Sequence, residues 1–294
     1  MRLPEVRGEY RHNFNIAPIT WFKVGGVAEV LYKPEDLEDL QYFLQNLDKA
    51  VPITILGNCS NVIIRDGGID GVVIKLGKNF AKIEKKDNYI YSGCGALNSS
   101  LALFAMHNSI KNLEFLIGIP GSVGGGIRMN AGAYGSEFKD VVKSFRAINR
   151  DGEIQDFNSS NVNFSYRECG LPNDLFFIDA LFNAEHGEMS EIKEKMNQIN
   201  EQRASTQPIK EKTGGSSFAN PEGHKAWQLI DSVGLRGYKI GGAEFSSKHC
   251  NFMINTGNSS AKDLEDLGEL AIKKVKEMHN IDLKWEIKRF GKYA

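Results

Sequence analysis

The 294-residue sequence has no CxxC pair, and its four cysteines, Cys59, Cys94, Cys169 and Cys250, are widely scattered. That spacing supports neither a structural zinc site nor a dithiol redox motif, and a chain of this size needs no disulfide staples, so four buried thiols are expected. Net charge is also lacking: 36 Lys and Arg stand against 37 Asp and Glu, a formal −1. Such a chain has no long-range pull towards nucleic acid or an anionic membrane, and a small ligand of mixed charge suits it better. No uncharged apolar run approaches a membrane span, and the opening MRLPEVRGEYRHNFN is charged throughout, without a signal-like apolar stretch. A cytoplasmic location is therefore expected. H-E-x-x-H, G-x-S-x-G and the Walker-type phosphate loop do not occur. Zinc hydrolysis, serine-hydrolase chemistry and a P-loop are left without support.

What the chain does have is glycine, 30 residues of it, within an otherwise ordinary composition of 41% hydrophobic and 25% charged residues. Length and composition fit a soluble globular protein of two or three domains. The stretch GIPGSVGGGIRMNAGAYG, 118 to 135, gives seven of eighteen positions to glycine and carries a single charge, Arg128. LGNCSNVIIRDGG at 56 to 68 and KVGG at 23 to 26 are further clusters. Glycine lets backbone N–H groups approach a ligand and adopt positive φ, so such clusters can form a concavity for a diphosphate. Tight turns and close strand packing are the competing explanation for any one of them. A Rossmann fingerprint is not satisfied, because 118 to 135 lacks the G-x-G-x-x-G spacing with an acid about 20 residues on.

Periodicity organises the rest. Leu37, Leu40, Phe43, Leu44 and Leu47 predict an amphipathic helix opening at Pro34. Short β-branched runs at 53–56, 62–65 and 72–76 follow, which suggests a small α/β domain ending near 76. The middle third reads as strands (YIYSG, VVKSFRAIN, LFFIDALFN) with helices near 97–108 and 188–203. A polar stretch at 204–216 containing Pro208 marks a boundary, giving domains 1–76, 77–203 and 204–294. Helices are expected near 223–233 and 260–279, the latter with Leu264, Leu267, Leu270, Ala271, Val275 and Met278 on one face, before a closing strand LKWEIKRF.

Three groups of strings occur in order: ITWFKVGGVAE with LGNCSNVIIRDGGIDGVVIKL, then GIPGSVGGGIRMNAGAYGSEFKDVV, then GGSSFANPEGHKAWQLID with RGYKIGGAEFSSKHCNFMIN. Together they resemble the UDP-N-acetylenolpyruvoylglucosamine reductase (MurB) family, over about residues 16 to 291. The short connection between Tyr166 and the helix at 188 resembles its type II subclass. The resemblance implies an α+β protein: a two-domain FAD-binding fold of the vanillyl-alcohol-oxidase/PCMH type plus a third α/β substrate-binding domain. It also implies a flavoenzyme of peptidoglycan precursor synthesis, in which NADPH reduces FAD and the flavin N5 passes hydride to UDP-N-acetylglucosamine enolpyruvate, giving UDP-N-acetylmuramate.

Carried over residue by residue, the resemblance puts Gly57, Asn58, Cys59, Ser60 and Asn61 with Gly118, Ile119, Pro120, Gly121, Ser122, Gly124 and Gly125 around FAD. Asn130, Ala131 and Gly132 are expected near the flavin. Ser216 matches the proton donor, its neighbour Ser217 being the rival for that place. Arg167 matches the residue that pairs the substrate carboxylate, where a planar fork suits a planar anion. Glu286 matches the residue that stabilises the enolate, a role that requires it to hold a proton. Tyr166, Asn220, His249 and Lys288 match substrate-binding positions, while Arg203 or Lys212 are alternative holders of the substrate diphosphate. Two departures stand out: Cys59 replaces the usual glycine, and Lys288 replaces an arginine fork by a point charge. An FAD oxidase of the same fold and a flavin- or nucleotide-sugar-binding module without turnover are the rival readings. A monomer without metal, nucleic-acid or membrane partner is expected.

Overall fold

The computed structural model describes residues 1–294. The chain builds two compact units from six alternating segments. Met1–Arg11, Leu31–Asn58 and Gly71–Gln202 form the first; His12–Val30, Cys59–Asp70 and Arg203–Ala294 form the second. Residues 1–76 thus contribute to both.

The first unit is centred on a five-stranded antiparallel sheet in the order Ile154–Asn158, Val142–Ile148, Phe176–Asn183, Tyr89–Gly93, Ile83–Lys86. Alternation along Val142–Ile148 separates two kinds of pairing. Phe145 stacks on Phe157 with ring centroids 5.3 Å apart and meets Phe177 edge-on at 5.2 Å. The next residue, Arg146, lies opposite buried Asp179 and grips it twice, at 3.0 and 2.5 Å, while the Tyr91 hydroxyl donates to the same carboxylate at 3.1 Å. Burial, with the Asp179 charge behind it, pushes the Tyr91 phenol up to about 12. Helices Asn98–His107, Val123–Arg128 and Met189–Thr206 contribute Leu101, Ile127 and Met196 to a core shared with Phe115, Phe138 and Phe182.

The helix expected from Pro34 starts later, at Leu37, and runs to Asn46. Asp36 is its N-cap, accepting from the Asp39 N–H at 2.9 Å, so capping by a side-chain oxygen prevails over proline's preference for the first turn.

In the second unit, strands Lys239–Ile240, Ala243–Phe245 and Met253–Asn255 form an antiparallel sheet, with helices Ala226–Ser232 and Ala261–His279 in the same core. A reciprocal Ser260–Asp263 capping box opens the long helix, and Asn280 in the left-handed conformation closes it. Leu264, Leu267, Ala271 and Val275 are buried as the heptad-like spacing implies, but Met278 is 62% exposed: the apolar stripe outruns the core by one turn. The closing strand is also shorter than expected. Only Lys288–Phe290 pairs as a strand, parallel to Val62–Ile64, because the segment changes partner: Trp285 bridges Phe218, and the Glu286 N–H donates to the Ser217 carbonyl at 2.9 Å. All four cysteines are buried and free, as their spacing suggested.

Candidate active site

Within the first unit the glycine-rich stretch forms a short helix, Val123–Arg128, capped by the Ser122 hydroxyl, which accepts from the Gly125 N–H at 3.4 Å. Its glycines divide into two groups. At Gly126 a Cβ would lie 2.2 Å from Phe138 Cζ, and at Gly118 one would lie 2.5 Å from Tyr134 Cε2; both are glycine because aromatic rings occupy the space. Gly125 differs, being exposed with only Ser122 Oγ, at an ordinary 3.5 Å, near its would-be Cβ. Packing gives it no reason to lack a side chain, and its exposed backbone leaves room for a ligand to approach closely. At Gly57 a Cβ would meet Ser122 Oγ at 2.6 Å, so the two glycine-rich turns touch there, and Gly121 holds φ at +131°, a value side chains rarely allow.

This cradle fits a dinucleotide diphosphate. Residues 118–126 contain no carboxylate to repel it. Asn98 spends its backbone N–H on Gly121 O at 3.0 Å and its side-chain NH₂ on Ile119 O at 3.2 Å, yet its buried Oδ1 has no hydrogen-bond partner. Such an atom calls for a donor, which a hydroxyl or amine of a dinucleotide supplies and a diphosphate does not.

Asn130, expected near a flavin, is fully buried with φ +38°, and its amide serves the protein. It donates to Glu137 Oε2 and to Ser165 O, each at 3.0 Å, and accepts from the Lys139 N–H at 3.0 Å. Ser165 opens a tight turn closed by Glu168, whose carbonyl accepts the Ser165 N–H at 2.9 Å. Tyr166 and Arg167 are its two corner residues. Arg167 has φ +61°, the sign a type II turn requires at its third position, and its guanidinium lies 4.8 Å over the Tyr166 ring. Glu137 is held below the usual carboxylate range: burial opposes this, but hydrogen bonds from Lys139 and Asn130, with the Arg167 charge, prevail.

The second unit gathers a separate group. Ser216 bridges Phe252, and Ser217 donates its N–H to Asn251 O at 2.7 Å. Ser217 is fully buried and its hydroxyl has no partner, whereas Ser216 is half-buried, so the two serines differ in access. The side chain of Asn251 closes a two-way bond with Phe218, accepting its N–H at 3.0 Å and donating to its carbonyl at 2.8 Å. Glu286 is fixed through its backbone, by the Ser217 carbonyl on one side and by Asn61, whose side-chain NH₂ reaches Glu286 O at 3.2 Å, on the other. Asn61 O then accepts the N–H of Lys288 at 3.1 Å. The structure therefore brings Ser216, Glu286, Lys288 and Asn61 into one neighbourhood. Cys59 is buried with φ +53°, and its carbonyl accepts the Trp21 N–H at 3.2 Å.

His249 Nδ1 accepts the Asn251 N–H at 3.3 Å, which makes Nε2 the protonated nitrogen of the neutral ring. Burial, aided by the Arg236 charge, lowers its affinity for a second proton. Asn220 is exposed and its Oδ1 accepts the Ala226 N–H at 2.9 Å, doing the work of a missing side-chain cap for helix Ala226–Ser232.

Comparison with known proteins settles the fold and the family. Residues 28–158 match the model of an FAD binding domain, and residues 207–290 match that of the UDP-N-acetylenolpyruvoylglucosamine reductase C-terminal domain. Curated reductases of that name from Rickettsia prowazekii and Rickettsia typhi are each 54% identical over 292 residues, covering 99% of both chains. The chain belongs to the UDP-N-acetylenolpyruvoylglucosamine reductase family. The crystal structure of the family member from Thermus caldophilus superposes with a TM-score of 0.84 at 30% identity, covering 98% of this chain and all of that one. The protein is thus an FAD-dependent oxidoreductase with an α+β fold. No helix is long and apolar enough to cross a membrane.

Three residues with structural work in these groups carry no signal in the motifs: Asn98 and Glu137 in the first unit and Asn251 in the second. Asn251 lies inside the family string SSKHCNF, one position past Cys250, and nothing in its spacing distinguishes it from a turn asparagine.

Proposed function

We propose that the chain reduces UDP-N-acetylglucosamine enolpyruvate to UDP-N-acetylmuramate at the expense of NADPH, as a cytoplasmic monomer of peptidoglycan precursor synthesis. Residues 1–76 and 77–203 hold FAD and 204–294 the nucleotide sugar. Bound FAD supplies hydride transfer, which no side chain can. The turns at Gly57–Asn61 and Gly118–Gly125 accommodate its diphosphate.

Addition of hydride to the vinyl terminus leaves negative charge on the carbon beside the substrate carboxylate, and that carbon must then take a proton. Ser216 Oγ gives it, a positioned acid being worth roughly 10² to 10⁴ in rate. Arg167 pairs the carboxylate with its guanidinium fork. Glu286 holds a proton towards the enolate oxygen. Tyr166, Asn220, His249 and Lys288 bind the substrate, His249 offering a neutral Nε2–H donor.

The observation that carries this reading is the adjacency of Ser216 to Glu286 through the Ser217–Glu286 backbone bond, in a neighbourhood that also contains Asn61 of the FAD turn. An FAD oxidase of the same fold has no use for that arrangement. The test is anaerobic: flavin is reduced with NADPH, the enolpyruvyl substrate is added, and the oxidised absorbance band is followed. Prompt return of the band with formation of UDP-N-acetylmuramate is expected. Reduced flavin indifferent to the substrate would overturn the proposal. Ser216→Ala should abolish the second half-reaction alone, and Glu286→Gln, which keeps a donor, should outperform Glu286→Ala in it.

A further inference from the structure

Arg128 is the one charge in the glycine-rich stretch, and no role has yet been given to it. It ends the helix Val123–Arg128, and its hydrogen-bond partners include no carboxylate. Instead its guanidinium spans the loop after the Arg167 turn. Nη1 donates to Leu171 O at 3.1 Å and Pro172 O at 2.8 Å and lies 3.6 Å from Cys169 Sγ, while Nη2 donates to Leu175 O at 2.8 Å. The group lies 4.4 Å over the Phe177 ring. Two residues on, Asn130 holds Ser165 O on the near side of the same turn at 3.0 Å. The segment that contains the FAD cradle thus holds the turn itself at Ser165, through Asn130, and the chain leaving it at Cys169, Leu171, Pro172 and Leu175, through Arg128, whose planar fork is the one group here that spans several carbonyls at fixed angles.

We propose that Arg128 is a positioning residue that sets the Arg167 turn for recognition of a substrate carboxylate, tying that turn to the FAD-binding helix. This rests on Arg167 being the carboxylate holder. A rigid mount matters because a bidentate pair tolerates little angular error, and Arg167 sits on a two-residue turn with a half-exposed neighbour, Tyr166.

The test measures binding without turnover, on oxidised FAD-loaded protein. UDP-N-acetylmuramate, which carries the carboxylate, is compared by calorimetry with UDP-N-acetylglucosamine, which does not. Arg167→Ala and Arg128→Met are each expected to weaken the first ligand by about tenfold and leave the second within about twofold, with the double variant no weaker than Arg167→Ala alone. Arg128→Lys, which keeps the charge but not the fork, should fall between wild type and Arg128→Met, and it carries the test if the methionine variant fails to retain FAD. A merely structural role predicts loss of both ligands together and additivity in the double variant; either result overturns the proposal. So does normal carboxylate selectivity in both Arg128 variants when Arg167→Ala has lost it. If Arg167→Ala itself binds both ligands normally, the carboxylate assignment fails first and this one falls with it.

Discussion

Two neighbouring glycines should respond oppositely to the same methyl group. A Cβ on Gly126 would lie 2.2, 2.3 and 2.9 Å from Cζ, Cε2 and Cε1 of Phe138. Carbon atoms at rest sit about 3.5–4.0 Å apart, so the ring or the helix must move by roughly 1.5 Å. Phe138 cannot swing freely: it is fully buried, with Phe115 and Phe182 rings 6.3 and 6.1 Å away. Overpacking of this kind costs about 1–3 kcal/mol, and the helical preference of alanine over glycine returns about 1 kcal/mol. With three ring atoms inside 3.0 Å the upper end of that range applies, so Gly126→Ala should lose about 2 kcal/mol, a melting temperature lower by roughly 4–8 °C. Phe138→Leu in the same chain should recover part of the loss by opening space. Gly125→Ala, whose Cβ meets nothing closer than 3.5 Å, should melt at or slightly above the wild-type temperature yet retain less FAD after gel filtration. Thermal melts of the apo and FAD-loaded forms separate the two effects. If Gly126→Ala is as stable as wild type, the packing argument is wrong; if Gly125→Ala keeps its flavin, that glycine is not part of the cradle.

Three further outcomes are expected. Asn251→Ala strands both the N–H and the carbonyl of buried Phe218, at about 1–3 kcal/mol each, so urea unfolding should show a loss of several kcal/mol, and a loss below about 1 kcal/mol would refute the pinning role. Cys59 holds φ +53°, a conformation that costs any residue with a Cβ; Cys59→Gly should be more stable than Cys59→Ala by about 1 kcal/mol, and equal melting temperatures would show that the turn relaxes instead. The fold prefers neutral His249, its proton affinity lowered from the ordinary 6.5, so that preference stabilises fully above pH 6.5 and is lost as pH falls below it. Urea melts at pH 7.5 and 5.5 should accordingly show a smaller acid loss in His249→Gln than in wild type, and an identical loss in both would remove His249 from the account.

Much of the architecture was legible because period and burial agree: the strands at 89–93, 142–148 and 176–183 and the helix at 261–279 carry their pattern in their own residues. The failures share one cause, a choice settled by a distant partner. Nothing local to LKWEIKRF says that Glu286 turns to Ser217 while Lys288 turns to Asn61. The glycine string was legible as a cluster but not in its division, since Gly126 and Gly125 are indistinguishable until Phe138 is in place. Asparagines were the least legible. Asn130 and Asn220 each carry a side chain suited to a ligand, and each spends some or all of it on backbone groups of the protein. Resemblance transfers a position but not the direction in which an amide points.

The alternation of the chain between its two units bears on how such a protein can be altered or inherited. Six segments make five crossings, so no cut in the gene yields either unit whole. Neither unit can be exchanged as a single cassette. A laboratory chimera is therefore better built by grafting a single turn, such as 165–168, than by joining fragments end to end.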